Sequence, residues 1–229
     1  MRLTSVFLSA VVLGCSAPSA SALELIVNGG FETGNFTPIG GGITTYDLIT
    51  QAGPQDLTGW TVGNSLVWGM NATDMNTHTG SGFVDLTGIG DTTPHGSLSQ
   101  SIATIIGQQY TFSMFVTQDF RGSLGFDVLA NSTTLALLGS PGFWNYLPDG
   151  AIYGQVTGLF TATSTSTLIN IVGRALGSTQ FMIGLDDVSV TGLDAAVPVP
   201  AALPLLASGL GLLGLLSRRK RKTAATTAE

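Results

Sequence analysis

Gln109-Tyr110-Thr111-Phe112-Ser113-Met114-Phe115-Val116 decides the fold. Tyr110, Phe112, Met114 and Val116 fall on one face of an extended chain, the period of two that a half-buried strand requires. Ile106-Gly107-Gln108-Gln109, just ahead of this run, reads as a turn. Further strand-like runs lie on either side: Gly82 to Leu86, Gly96 to Ile102, Leu124 to Leu129, Gln155 to Thr161, Ser166 to Val172 and Phe181 to Val190. Outside the two ends of the chain, no window sustains helical periodicity. Many short strands separated by Gly- and Asn-containing turns predict an all-β domain, an antiparallel β-sandwich or barrel. Residues 37–59 are rich in Gly and Thr and predict a long loop with an edge strand. No internal repeat is evident.

The ends set the organisation. Met1-Arg2, an apolar run from Leu3 to Leu13 and the small-residue site Ala20-Ser21-Ala22 form a secretory leader, 1–22. Val12-Leu13-Gly14-Cys15 also resembles a bacterial lipobox, which would make Cys15 a lipidated first residue, although Leu13 fits that pattern poorly. Either way the body is exported. A β-sandwich domain is expected over 23–191, a linker over 192–197, a C-terminal signal over 198–222 and a disordered tail over 223–229. The signal joins Val197-Pro198-Val199-Pro200 to 16 uncharged residues, Ala201 to Leu216, and then to Arg218-Arg219-Lys220-Arg221-Lys222. At roughly 1.5 Å per residue the uncharged run spans about 24 Å as a helix, short of a hydrocarbon core of about 30 Å. Extension through Val197 and Ser217 lengthens it, and the five cations hold its end at the cytoplasmic side.

This tripartite tail resembles the PEP-CTERM family of sorting signals, in the variant with an apolar residue between the prolines. Val199 stands where Glu is usual. The resemblance implies transient anchoring in the inner membrane, cleavage near Val197–Pro200 by an exosortase, an integral-membrane cysteine protease, and release to the envelope or extracellular matrix. The prolines suit this, since they keep the site extended and free of helix.

Between Leu23 and Val197 there are 2 basic residues, Arg121 and Arg174, against 13 acidic ones, a net charge of −11, and there is no lysine. Such a surface repels nucleic acid and anionic membrane, and suits divalent cations or neutral glycans. The body has no cysteine, so no disulfide framework supports it. Its 175 residues suffice for one core.

A second resemblance covers about 24–191. Leu25-Ile26-Val27-Asn28-Gly29-Gly30-Phe31-Glu32 with the later Gly59-Trp60 looks like the opening of galactose-binding-like jelly rolls, a group rich in carbohydrate-binding modules. Gly184-Leu185-Asp186-Asp187-Val188-Ser189-Val190 looks like their closing strand. The resemblance implies a structural Ca²⁺ shared by Glu32 and Asp187, or its neighbour Asp186, with backbone carbonyls around Asn28 and a water completing the six to eight oxygens that calcium takes. Three carboxylates so gathered would repel strongly without a cation.

A ligand platform is expected at Trp144 and Tyr146 in the Pro- and Gly-bounded segment Gly142-Phe143-Trp144-Asn145-Tyr146, with Asn145 or Asp149 as polar partners. Aromatic rings stack on the C–H faces of sugars while such neighbours fix the hydroxyls. Trp60 and Trp68 are expected in the core. His78 and His95 lie in polar, turn-rich stretches with no nucleophile motif, and a zinc site would want a third N or S ligand; no catalytic residue is assigned. Asn71-Ala72-Thr73 and Asn131-Ser132-Thr133 are read as turns. The expected function is a non-catalytic matrix protein that binds polysaccharide; the alternatives are a structural biofilm or adhesion component without a discrete ligand, and a secreted glycan hydrolase.

Overall fold

Among the described residues every regular element is a strand. In chain order these are β1 (Ala22–Glu24), β2 (Tyr46–Thr50), β3 (Thr61–Gly63), β4 (Ser65–Met70), β5 (Gly82–Asp85), β6 (Ser97–Ala103), β7 (Gln109–Gln118), β8 (Phe126–Ala130), β9 (Thr133–Thr134), β10 (Leu137–Gly139), β11 (Gly142–Phe143), β12 (Gly154–Thr161), β13 (Ser166–Gly173) and β14 (Ile183–Leu193). The computed structural model describes residues 22–39, 46–50, 56–70, 76–88, 94–118, 125–143, 151–174 and 182–193. All belong to one unit, Ser21–Leu193. Residues 1–21 of the expected leader, Cys15 among them, lie outside the described residues, as do Trp144, Asn145, Tyr146, Asp149 and the whole C-terminal signal; among those described no helix is long and apolar enough to cross a membrane.

Two sheets form. The larger runs β10-β12-β7-β14-β5-β4-β2, with β1 pairing β14 beyond β5 and β11 pairing β7 beyond β12. The smaller runs β3-β6-β13-β8-β9. Pairing is antiparallel except for the short β11–β7 contact. The edge strand expected within 37–59 is β2. Tyr110, Phe112, Met114 and Val116 are buried on the inner face of β7 and join Leu185 and Val190 of β14. They share a single core with Leu98, Ile102, Phe126, Val128, Ile169 and Ile171 of the smaller sheet. The chain is therefore a β-sandwich, stabilised by about 1.5–3 kcal/mol for each large side chain fully withdrawn from water.

The opening segment lies along β14: Leu25 N donates to Val190 O at 2.9 Å, and Val188 N donates to Gly29 O at 2.9 Å. Only glycine permits this approach, because a side chain at Gly29 would begin 1.9 Å from the Val188 carbonyl oxygen. Trp60 and Trp68 are buried, as expected, and each spends its indole N–H on the opening turn. Trp60 Nε1 donates to Asn28 O and Trp68 Nε1 to Phe31 O, both at 2.9 Å. Asn131 and Ser132 are both left-handed (φ 50° and 70°) and turn β8 into β9, as the sequence suggested.

Candidate functional site

The opening turn is knotted by Asn28. This residue is left-handed (φ 56°); its Nδ2 donates to Thr33 O and Thr58 O, and its Oδ1 accepts from Thr33 N. Its carbonyl accepts from Phe31 N as well as from Trp60. Both Asn28 oxygens are thus engaged in holding the turn. The turn projects Glu32 toward the start of β5, where Oε1 accepts from Ser81 N at 2.8 Å and Gly82 N at 2.9 Å. Gly80 beside them is left-handed (φ 58°) and leaves room for the carboxylate, since a side chain there would begin 2.2 Å from Glu32 Oε1.

The closing strand supplies two more carboxylates. Its register shifts between Asp186 and Ser189, a bulge at which Asp187 is left-handed (φ 48°). Asp186 Oδ2 accepts from His78 N at 2.7 Å and Thr79 N at 3.0 Å, while Oδ1 accepts from Asp187 N at 2.7 Å. Asp187 Oδ2 lies 2.6 Å from His78 Nδ1, and Thr79 Oγ1 donates to the same carboxylate. Glu32, Asp186 and Asp187 do gather: a side chain at Gly30 would begin 3.3 Å from Asp187 Oδ1, 3.8 Å from Glu32 Cγ and 3.9 Å from Asp186 Oδ1. Together they clasp residues 78–82 largely through N–H donors. In that arrangement no set of three His, Cys, Asp or Glu side chains among the described residues forms a metal-ligand group.

The outer face of the larger sheet runs from this clasp. Residues directly opposite each other share a face, so the register builds three rungs across it. The first is Gln155–Phe115–Asp186, the second Leu138–Thr157–Ser113–Ser189 and the third Leu159–Thr111–Thr191–Glu24. Gln155, Leu159 and Thr111 are exposed; Phe115, Ser113, Thr157 and Thr191 are half-buried. The His78 ring lies flat on Phe115, centroids 3.5 Å apart and planes at 13°. Strand spacing of about 4.8 Å and two-residue steps of about 7 Å give these rungs an extent of roughly 14 by 14 Å. Sequence reasoning assigned the buried side of β7 and overlooked this one, although the same alternation displays Thr111, Ser113 and Phe115.

Beyond the first rung the face turns inward. Asp85, Gly184 and Thr117 are neighbours across β5, β14 and β7. Thr117 Oγ1 and the Tyr153 hydroxyl are buried there without a hydrogen-bond partner. Burial raises the Tyr153 hydroxyl pKa above its ordinary value, and the charges of Asp186, Asp85 and Asp187 add to this. Burial likewise pushes Asp85 up to about 6, against the opposing pull of the Ile183 and Thr87 N–H donors. It pushes Asp186 up to about 7, against that of Thr79 N.

These two carboxyls give stability a definite pH dependence. An unfolded chain releases their protons near pH 4, whereas the folded protein keeps them up to about pH 6–7. Their unfavourable contribution is absent below pH 4, grows as the pH rises through 6–7, and is constant above. With chelator present, the thermal midpoint is expected to be lower at pH 8 than at pH 5, and Asp85→Asn to flatten part of that slope. A midpoint in the wild-type protein that climbs over this range would contradict the assignment.

No protein-family model matches this chain, and no curated protein does. Among solved structures it is similar to the CBM22-1 xylan-binding domain from Paenibacillus barcinonensis Xyn10C, at 14% identity over 79% of this chain and 99% of that one, with a TM-score of 0.42. It is similar to a CBM4 structure at 19% identity over 73% and 99% of the two chains, with a TM-score of 0.36. The third is TmCBM61 in complex with β-1,4-galactotriose, at 16% identity over 73% and 97%, with a TM-score of 0.31. Likenesses this distant say nothing of ligand or activity, and the site stands on its own residues.

Proposed function

We propose that this chain is an exported, non-catalytic β-sandwich that binds polysaccharide across the outer face of its larger sheet. The observation that carries the reading is the set of three rungs. They offer hydroxyls and an amide from Thr111, Ser113, Gln155, Thr157 and Thr191 beside a flat, partly exposed ring pair, with the carboxylates confined to the margins. Neutral donors and acceptors around a flat ring face are what a glycan with hydroxyl edges and C–H faces needs. Affinity electrophoresis through neutral polysaccharide gels tests it. Gln155→Ala with Thr157→Ala is expected to weaken retention roughly thirtyfold, since each lost hydrogen bond is worth about 1 kcal/mol; unchanged retention would remove this face as the site.

Calcium belongs to the proposal as a structural ion. The meeting of Glu32, Asp186 and Asp187 around Gly30 supports it, because a divalent cation would offset the desolvation that favours protonated Asp186. Binding there would exchange some N–H contacts of residues 78–82 for metal–oxygen bonds. The thermal midpoint is expected to rise in calcium relative to chelator, and an identical midpoint in both would reject the ion.

The tail supports delivery. Its proline motif, short apolar run and basic cluster fit an exosortase substrate held briefly in the inner membrane and then passed to the envelope or matrix. Pulse-chase labelling should detect a shortened product lacking residues 201–229. Persistence of the full-length chain in a strain with an intact exosortase would overturn the processing.

A further inference from the structure

Far from the carboxylate clasp, the sandwich has a pocket of about 250 Å³. The distance follows from the strands: β12 places Gln155 beside Phe115 and Thr161 beside Gln109, and six strand residues span roughly 20 Å. We propose that this pocket is a second binding site, selective for a single neutral sugar residue such as the end of a glycan chain. The inference shares with the preceding reading the premise that the ligand is a saccharide, and it stands on a different set of residues.

The pocket opens where the chain passes from one sheet to the other. After the left-handed turn at Asn131 and Ser132, Thr133 and Thr134 pair with β8, Leu135 N donates to Val128 O at 2.8 Å, and Leu137 joins the opposite sheet beside Gly158. The crossing forms one wall, and the end of β12 with its following turn forms the other. Asn131 fixes the walls relative to one another. Its N–H donates to Leu168 O and its Oδ1 accepts from Leu168 N, both at 2.8 Å, while Nδ2 donates to Ser164 Oγ. Ala130, Leu135, Phe160 and Ala162, all buried, make the floor. The Phe160 ring is held by stacking on Tyr110, centroids 5.4 Å apart and planes at 18°, and the Tyr110 hydroxyl is itself anchored by the Ile105 N–H.

The chemistry of the lining narrows the ligand. Thr133, Thr134, Thr161 and Thr163 stand exposed around the mouth, and no ionisable side chain is among the described residues that line it. An anion would find no cation, and a cation no carboxylate. A fully apolar ligand would leave the rim hydroxyls dehydrated, at a cost. A neutral ring with hydroxyls on its edge and C–H groups on its face satisfies both the rim and the floor. The volume is below the roughly 300–1,000 Å³ usual for drug-sized ligands, which fits one sugar unit.

Amide-resolved NMR titration of the chain without its leader (residues 23–229) tests the site, using methyl glycosides of glucose, galactose, xylose and mannose, with glucuronate and glucosamine as charged counterparts. At least one neutral glycoside is expected to shift the amides of residues 130–136 and 159–163 saturably, and the charged sugars to shift them far less. Thr134→Val with Thr163→Val keeps strand-compatible side chains at exposed positions and is expected to weaken that binding roughly tenfold; Ala136→Phe, which fills the pocket, should abolish it at unchanged thermal midpoint. The Gln155→Ala and Thr157→Ala changes should leave these shifts intact, so loss of the sheet-face site and loss of the pocket read out separately. Absence of saturable shifts with every neutral glycoside, equal shifts with the charged sugars, or undiminished binding in Ala136→Phe would overturn the proposal.

Discussion

Two indole N–H groups hold the opening turn, and much of the site depends on them. Phe31 is left-handed (φ 57°) and fully buried, a backbone state that a bulky residue adopts at a cost of order 1–3 kcal/mol. What keeps it there is burial of its ring against Trp60, centroids 5.7 Å apart, and capture of its carbonyl by Trp68. The next residue is Glu32. If the turn relaxed, the carboxylate would leave the Ser81 and Gly82 amides, and the segment bearing His78 would lose one of its two points of attachment. Removing the Trp68 indole would also strand the buried Phe31 carbonyl away from water, which costs more than one ordinary hydrogen bond contributes. The tryptophans are thus core residues whose polar atoms position the surface.

β7 shows how one alternation does two jobs. Its even-numbered residues, Tyr110 to Val116, close the interior, and its odd-numbered ones carry Thr111, Ser113 and Phe115 outward. Because the side-chain period is two, a slip of one residue would exchange the faces outright. The buried set therefore specifies the register of the outer rungs as well. β14 departs from this regularity only at its bulge, and there the deviation turns Asp187 toward His78 and Thr79 while Asp186 stays beneath their amides.

Most strands legible in the sequence have one wet face; β5, buried at every position, is the exception. β5, β6, β7, β8, β12, β13 and β14 all overlap runs recognised by alternation and turn residues, with ends that differ by up to three residues. β4 was missed because Leu66, Val67, Trp68 and Gly69 are buried on both sides, leaving no polar positions to alternate with. β9, β10 and β11 have two or three residues each, too few to show a period. Glu32, Asp186 and Asp187 were grouped through resemblance, and the chain does bring them together. The part of His78 was not legible, since its partner Asp187 is 109 residues away and no local pattern links them. Nor was the part of Asn28 in the turn, which its side chain and carbonyl tie to Thr33, Thr58 and Trp60. Neutral hydroxyls on a sheet form no motif, and so neither the rungs nor the threonine-rimmed pocket announced themselves.

The strand at the centre of the larger sheet is the last of the described strands. β14 pairs with β7 along one side and with β5 and β1 along the other, and it also receives the opening segment. A chain emerging from its N-terminus can form hairpins, yet it cannot join β7 to β5 until residues 183–193 arrive. Closure of so non-local a sheet is intrinsically slow. Until those residues arrive the larger sheet stays in two parts, with β7 and its partners on one side and β5, β4 and β2 on the other.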